Sequence, residues 1–150
     1  MSLQTDIIFV KALRSDADLI AALPAGDVYN TAIALPEQEA MNAPLPYVIV
    51  SFDGLNNQDS TKDDQWDGLT DRVQIGIEIA AEKRPGLADL AIRCRRAVKA
   101  YFEAHSEDTE DEDYPLIPSQ YELQAGAVQY DDLKPCYWQR LTFTCDTDPD

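Results

Sequence analysis

The chain has 150 residues, of which 45% are hydrophobic and 27% charged, so it is long enough to bury the core of one domain. Twelve lysines and arginines against 28 aspartates and glutamates give a net charge of −16. A surface this negative repels DNA phosphates and anionic membranes, which excludes nucleic-acid binding through a general basic surface. No apolar run approaches the roughly 18 residues that a membrane-spanning helix needs.

Two helices are predicted at the start of the chain. The first carries four apolar residues on one face: Leu3, Ile7, Val10 and Leu13. Ser15, with Asp18 three residues later, forms a capping pattern in front of the second, ADLIAAL. Residues 27–46 contain three prolines and predict an irregular connection with a short strand at Val28–Tyr29.

A long hairpin is predicted in the middle of the chain. PYVIVSFDG is rich in strand-forming residues and ends in the turn signal Asp53-Gly54. In residues 73–80, valine and isoleucine alternate with other residues, and this period of two is the strongest strand signal in the chain. The polar stretch of residues 55–69 is therefore predicted to connect two antiparallel strands.

The segment KDDQWDGLTD, residues 62–71, resembles part of a calcium loop. When Gly68 is set at position 6 of an EF-hand loop, position 12 requires a bidentate glutamate but falls on Gln74 of the predicted strand. The EF-hand is therefore rejected, and a weak adventitious cation site is the remaining metal alternative. An exposed loop tryptophan is typical of an interface, so Trp66 and the adjacent Asp67 are predicted to contact a partner. Alternatively, Trp66 folds back on its own sheet.

Residues 86–103 predict a helix, with apolar residues at three- and four-residue spacing: Leu87, Leu90, Ala91, Cys94, Val98 and Tyr101. Four of the chain's basic residues occupy its other faces: Arg93, Arg95, Arg96 and Lys99. On so acidic a protein, these cations suit an acidic partner, including another copy of the same chain. The alternative is an ordinary solvated helix face.

An acid run follows this helix, with seven acidic residues from Glu103 to Asp113, and predicts an acidic loop over about 104–114. Glu110 and Asp111 lie within it and are predicted to contact a partner. SQYELQAGAVQYD and CYWQRLTFTCD then predict two strands, the first with a bend at Gly126, and residues 146–150 predict a frayed tail. The order of elements predicts a single α+β domain over residues 1–150. Its one mainly antiparallel sheet has about four strands, with an N-terminal and a central helix packed on one face.

No pattern of catalytic or cofactor-binding residues is present. The six glycines are never closer than eight residues, which excludes phosphate-binding glycine loops and the serine-hydrolase elbow. The one histidine, His105, is predicted to be a solvated loop residue. Three cysteines, with no secretory signal and no metal-binding spacing, predict reduced, buried thiols in a cytoplasm: Cys94, Cys136 and Cys145. We therefore expect no enzymatic activity, no cofactor and no metal.

The assembled pattern resembles the small tail-terminator, or tail-completion, proteins of long-tailed phages and prophages, of the lambda tail-terminator type. The matching pieces span nearly the whole chain: SDADLIAALPAGDVYN, APLPYVIVSFDG, DRVQIGIEIAAE, GLADLAIRCRRAVKAYF and YWQRLTFTC. The polar stretch 55–69 and the acid run 107–113 are longer than the family's usual connections. The likeness is one of pattern and rests on no catalytic signature.

This resemblance implies a non-enzymatic structural protein that forms a ring, commonly hexameric. The ring caps the tail tube, ends its polymerisation and provides the surface that joins the head. The implied partners are other copies of the chain, the tail tube protein and a head–tail connector protein, with no specific nucleic-acid binding and no membrane. The implied location is the virion tail, after assembly in the cytoplasm of the bacterial host. Two alternatives are a neck or head-completion protein of similar fold and an acidic DNA mimic that inhibits a host protein.

Overall fold

The computed structural model describes residues 2–30, 43–57, 71–105 and 121–147, which form three α-helices and one six-stranded sheet. A short 3₁₀ turn (Ser2–Gln4) leads into the helices, which are α1 (Thr5–Arg14), α2 (Ala17–Ala21) and α3 (Arg84–His105). The strands are β1 (Tyr29–Asn30), β2 (Tyr47–Asn57), β3 (Asp71–Ala81), β4 (Tyr121–Ala125), β5 (Gln129–Asp131) and β6 (Cys136–Thr147). None of these helices is both long enough and apolar enough to cross a membrane.

The sheet has the order β1-β2-β3-β6-β4, with β5 also paired to β6. All pairs are antiparallel except β1 with β2, which run parallel. The predicted α+β class is confirmed, but the sheet is mixed and larger than the four antiparallel strands predicted. The short strand predicted at Val28–Tyr29 is present one residue further along, as the two-residue β1, but its parallel pairing with β2 was not predicted.

The strand predicted from SQYELQAGAVQYD divides into β4 and β5 because the chain bulges between them. The backbone N–H of Gly126 donates to the carbonyl of Arg140 at 2.8 Å, and the side-chain amide of Gln139 donates to the carbonyl of Gly126 at 2.9 Å. Ala125 pairs with Leu141 while Gln129 pairs with Trp138, so the outer chain has one more residue in this interval than β6. The predicted bend at Gly126 is thus a division between two strands.

The predicted hairpin is confirmed, because β2 and β3 are antiparallel neighbours. The predicted turn at Asp53-Gly54 is wrong, since β2 continues to Asn57 and the register only shifts between Phe52 and Gly54, as in a bulge. The first residue of β3, Asp71, is buried and accepts a hydrogen bond from Asn57 Nδ2 at 2.7 Å. The last residue of the KDDQWDGLTD segment is therefore a structural part of the sheet, and residues 58–70 lie outside the described part of the chain.

The N-terminal helices form where predicted, with two corrections of detail. Asp16, not Ser15, caps α2, because its side chain accepts hydrogen bonds from the N–H groups of Asp18 and Leu19. Ser15 instead follows α1 and donates to the carbonyl of Ala12. The buried face of α1 differs in part from the predicted one: Val10 and Leu13 are buried as predicted, but Leu3 and Ile7 are 65% and 37% exposed. Five further residues are buried: Thr5, Asp6, Ile8, Phe9 and Ala12. Because IIFV is apolar on every side, contacts with α3 and the sheet decide which face is buried.

The core lies between one face of the sheet and the helices α1 and α3, which confirms that the helices pack on one side. The alternating residues of β3 that face the helices are fully buried: Val73, Ile75, Ile77 and Ile79. At its centre the Phe9 ring lies 5.3 Å from the Phe102 ring and 5.2 Å from the Phe143 ring, between centroids. Tyr121 of β4 extends this aromatic cluster, at 5.2 Å from Phe102.

The other face of the sheet carries a polar cluster at its centre. Arg140 of β6 forms an ion pair with Asp53 of β2, and its Nη2 also donates to Ser51 Oγ at 2.9 Å. The guanidinium reaches across β3 at Gly76, where an added Cβ would overlap it and lie 2.6 Å from Asp53 Oδ2. Because Gly76 has no side chain, the Arg140 guanidinium can cross β3 and link β6 to β2, which are not neighbours in the sheet.

The long helix α3 includes Ala104 and His105, so it continues two residues beyond the predicted end. His105 is half-buried, and its ring lies 4.3 Å from the Tyr101 ring. The prediction of a solvated loop histidine is thus wrong, because the helix extends far enough to stack it on Tyr101. Residues 106–120, with most of the acid run, lie outside the described residues, whereas β6 includes Asp146 and Thr147 of the predicted frayed tail.

All three cysteines are buried free thiols, as predicted. Burial raises the pKa of Cys94 to about 12, and it raises the pKa of Cys145 to about 12 as well. A buried thiol of this kind stays protonated at neutral pH, and only the thiolate reacts readily with alkylating agents.

We expect iodoacetamide at pH 8 to leave Cys94 and Cys145 of the native protein unlabelled, and to label both after denaturation, as read by mass spectrometry. The same shifts make the free energy of unfolding pH-dependent. Because the native pKa is raised, the stabilising contribution of each buried thiol to the free energy of unfolding is complete below the ordinary thiol pKa of about 8.5. It is lost as pH rises toward 12. Rapid labelling of either thiol in the folded protein would contradict the burial described.

Candidate interaction surface on helix α3

Helix α3 separates its residues into a buried and an exposed side. The buried side faces the sheet and α1 and contains seven residues: Leu87, Leu90, Ala91, Cys94, Ala97, Val98 and Phe102. The helical period of 3.6 residues then turns the positions between them toward solvent. All four basic residues predicted for an interface lie among these exposed positions, and we call them the cationic face: Arg93, Arg95, Arg96 and Lys99.

One large apolar side chain accompanies the cationic face. Ile92 is 45% exposed, although it lies on a helix whose other large aliphatic residues are nearly all buried. It borders the grooves on both sides of the exposed surface of α3. An exposed apolar residue surrounded by arginines is a composition typical of protein–protein contacts.

The first groove, which we call the α2–α3 cleft, encloses about 830 Å³. Its lining includes Ala22, Pro46, Leu90, Ile92, Arg93 and Arg96. Asp16 and Asp18, from the start of α2, line it as well. Lys83, Glu82 and Asp89 add charges of both signs, so the cleft offers apolar surface together with cations from α3 and from Lys83 directly before it.

The second groove lies between α3 and β4 and encloses about 480 Å³. Arg95, Lys99 and Tyr121 line it, and Arg96 borders both grooves. Burial raises the pKa of the Tyr121 hydroxyl, Glu103 adds to the rise, and the nearby Arg95 opposes it. Arg95 is thus close enough to β4 for its charge to act across the groove.

Among the described residues, one ion pair within 4.0 Å involves the cationic face. Lys99 lies 4.0 Å from Glu103, one turn further along the helix, in a pair that is about 70% exposed on both sides. Within residues 2–30, 43–57, 71–105 and 121–147, no ion pair within 4.0 Å involves Arg93, Arg95 or Arg96. Three guanidinium groups are therefore available to bind carboxylates, which they can do with two parallel hydrogen bonds each.

The other predicted contact residues, Trp66, Asp67, Glu110 and Asp111, lie outside the described residues and stay predictions. Sequence reasoning missed two exposed residues that the structure brings forward, Ile92 and the hairpin residue Leu133. Ile92 could have been found, because it lies one position outside the apolar stripe of α3. Nothing in the pattern around Leu133 distinguishes it from a leucine that folds back on the sheet.

No group of three or more histidine, cysteine, aspartate or glutamate side chains is placed to hold a metal ion in the part of the chain that the structure describes. What the surface can do chemically is bind carboxylate groups and apolar side chains. Compared with models of known protein families the chain matches none, and no curated protein sequence matches it.

Proposed function

We propose that the protein is a structural subunit of a phage or prophage tail, of the tail-terminator type. It assembles with copies of itself into a ring that caps the tail tube, ends its polymerisation and provides the surface that joins the head. It acts by contact and not by catalysis, with the tail tube protein and a head–tail connector protein as its other partners. Its place is the virion tail, after assembly in the host cytoplasm.

The observation that carries this proposal is the cationic face of α3 on a chain of net charge −16. A ring forms through heterologous contacts, in which one surface of a subunit meets a different surface of the next. A subunit with a basic surface on one helix and many acidic residues elsewhere has two such unlike surfaces. Acidic segments of a neighbour, including the run with Glu110 and Asp111, supply the carboxylates that Arg93, Arg95 and Arg96 lack within the described residues.

The strong negative charge also suits a subunit with a DNA-facing channel. Phosphates are repelled by acidic surfaces, so a channel of this composition does not hold the genome as it passes. A ring structure whose channel is lined by basic residues would contradict this part of the proposal.

The test is the mass and shape of the assembly in solution, by light scattering and negative-stain imaging, with and without tail tube protein. We expect a ring with a central hole. A variant with glutamine at all four positions of the cationic face should weaken association of neighbouring subunits by about tenfold or more, since each exposed ion pair contributes about 0.2–1 kcal/mol. The ring of the unmodified protein should also weaken as salt rises from 50 mM to 1 M, since salt screens exposed ion pairs.

Arg84→Gln provides the matched control for Arg96→Gln. Both change one exposed arginine of α3 to the same residue, but Arg84 borders neither groove. The first change should leave assembly unaltered and the second should weaken it. A monomer that stays monomeric with tail tube protein present would contradict the proposed function. A ring that is indifferent to salt and to all four changes would contradict only the role of the cationic face.

A further inference from the structure

The connection between β5 and β6 carries the most exposed leucine among the described residues. Leu133 is 96% exposed, and the turn that presents it is closed by Asp131, whose Oδ1 accepts the N–H of Leu133 at 2.9 Å. The next residue, Lys134, extends back to the body of the protein, where Nζ donates to the carbonyl of Ala43 and lies 5.1 Å from the Tyr47 ring centroid. The leucine is thus held outward by a turn that is tied down on both sides.

Two further exposed apolar residues lie within five positions of this leucine. Tyr130 is 53% exposed and its ring lies 5.0 Å from that of Tyr137, and Val128 is 37% exposed. Asp132, directly before Leu133, is exposed and forms no ion pair with any residue that the structure describes. We call Val128, Tyr130, Asp132 and Leu133 the hairpin tip. Several exposed apolar residues on one fixed element indicate a contact surface more strongly than a single exposed leucine does.

The exposed side of the α2–α3 cleft has the features that the hairpin tip requires. It provides apolar surface at Ile92 and, beside it, the guanidinium groups of Arg93 and Arg96, which form no ion pair with any residue that the structure describes. Lys83 and four carboxylates line the rest of the cleft: Asp16, Asp18, Glu82 and Asp89. Its volume of about 830 Å³ is ample for a leucine and its neighbours. The apolar residue and the carboxylate of the hairpin tip therefore find an apolar surface and a cation in the cleft. No residue of the hairpin tip lines the cleft of its own chain among the described residues.

We propose that the hairpin tip of one copy docks in the α2–α3 cleft of the next copy, with Leu133 against Ile92 and Asp132 facing Arg93 and Arg96. The proposal rests on the proposed function, and names the two surfaces through which neighbouring subunits of the ring meet. Tip and cleft are different surfaces of one chain, so after the first contact one copy still has a free cleft and the other a free tip. Repetition of this contact adds subunits in one direction until the ring closes.

The first test compares Leu133→Asn with Leu3→Asn by sedimentation velocity over a range of protein concentrations. Both changes replace an exposed leucine, 96% and 65% exposed, by the same polar residue, so neither should affect folding. Leu133→Asn should weaken self-association about tenfold or more, because burial of a leucine is lost from the contact. Leu3→Asn should leave it unchanged. Equal self-association of both variants would overturn the proposal.

The second test is cross-linking with a short bis-maleimide, which is possible because the chain's own three thiols are buried. A variant with both Leu133→Cys and Ile92→Cys should give a ladder of linked dimers, trimers and larger species on a denaturing gel. Leu133→Cys alone should give monomer, since tip does not meet tip. Linked dimers from Leu133→Cys alone would overturn the docking contact but not the proposed ring. The same holds if the double variant assembles into a ring but gives no ladder of linked species. Absence of any assembly would instead contradict the proposed function itself.

Discussion

Phe9→Ala lowers the free energy of unfolding by about 3–5 kcal/mol, the largest single effect that we expect. The Phe9 ring is fully buried and contacts aromatic rings of α3 and β6, at 5.3 Å from Phe102 and 5.2 Å from Phe143. Its removal takes an aromatic group from the point where α1, α3 and the sheet meet. Because these rings are held by separate elements, the cavity cannot close by movement of a single side chain.

Chemical denaturation followed by fluorescence or circular dichroism measures this loss as a lower midpoint concentration of denaturant. Leu3→Ala is the matched control, since Leu3 precedes the same helix but is 65% exposed, and it should change stability by less than about 0.5 kcal/mol. A loss below about 1 kcal/mol for Phe9→Ala would show that the aromatic cluster is not the centre of the core.

Gly76→Ala is expected to be destabilising in the native sequence and stabilising once Arg140 is removed. The added methyl group occupies the space through which the Arg140 guanidinium reaches Asp53 and Ser51. Loss of these contacts costs about 1–2 kcal/mol, a value at the low end for bonds to charged groups because the side chains are partly exposed. Alanine recovers about 0.5–1 kcal/mol relative to glycine within a strand, so the net loss is smaller.

A double-mutant cycle with Arg140→Ala measures this coupling directly. In the Arg140→Ala background there is no guanidinium to displace, and the Asp53 carboxylate, no longer held by it, can turn away from the added methyl group. Gly76→Ala should then raise the free energy of unfolding by about 0.5–1 kcal/mol. The critical observation is that the effect of Gly76→Ala on the free energy of unfolding changes sign. Urea denaturation of the unmodified protein, the two single variants and the double variant measures it. If Gly76→Ala has the same effect with and without Arg140, the close approach does not hold the ion pair in place.

The elements that the sequence predicted well are those with long, regular periodicity. The alternation through residues 73–80 and the apolar spacing in residues 86–103 each repeat often enough to identify β3 and α3. The features that were missed are interactions between strands. The short strand predicted at Val28–Tyr29 is present one residue further along, but its parallel pairing with β2 was not predicted, and the division of β4 from β5 depends on hydrogen bonds to β6. These interactions are not local, so no window of sequence contains them.

The candidate interaction surface could likewise be predicted from the sequence only in part. The exposure of Arg93, Arg95, Arg96 and Lys99 follows from the helical period alone once the buried stripe is known. The grooves beside these residues do not follow from the helical period, because α2 and β4 provide their opposite walls. The space that Gly76 leaves for Arg140 likewise requires the register of β2, β3 and β6.

The pairing of β3 with β6 has a consequence for how the chain reaches its folded state. β3 lies in the middle of the sheet, between β2 and β6. Its pairing with β6 runs from Asp71 opposite Thr147 to Ala81 opposite Tyr137, so most of the second half of the chain lies between the paired residues. Contacts between residues so distant in sequence form late and slow folding, since a long loop must close first. A nascent chain therefore exposes one edge of β3, and the apolar residues beside it, until the segment through Thr147 has left the ribosome. During that interval the high negative charge of the chain opposes its aggregation.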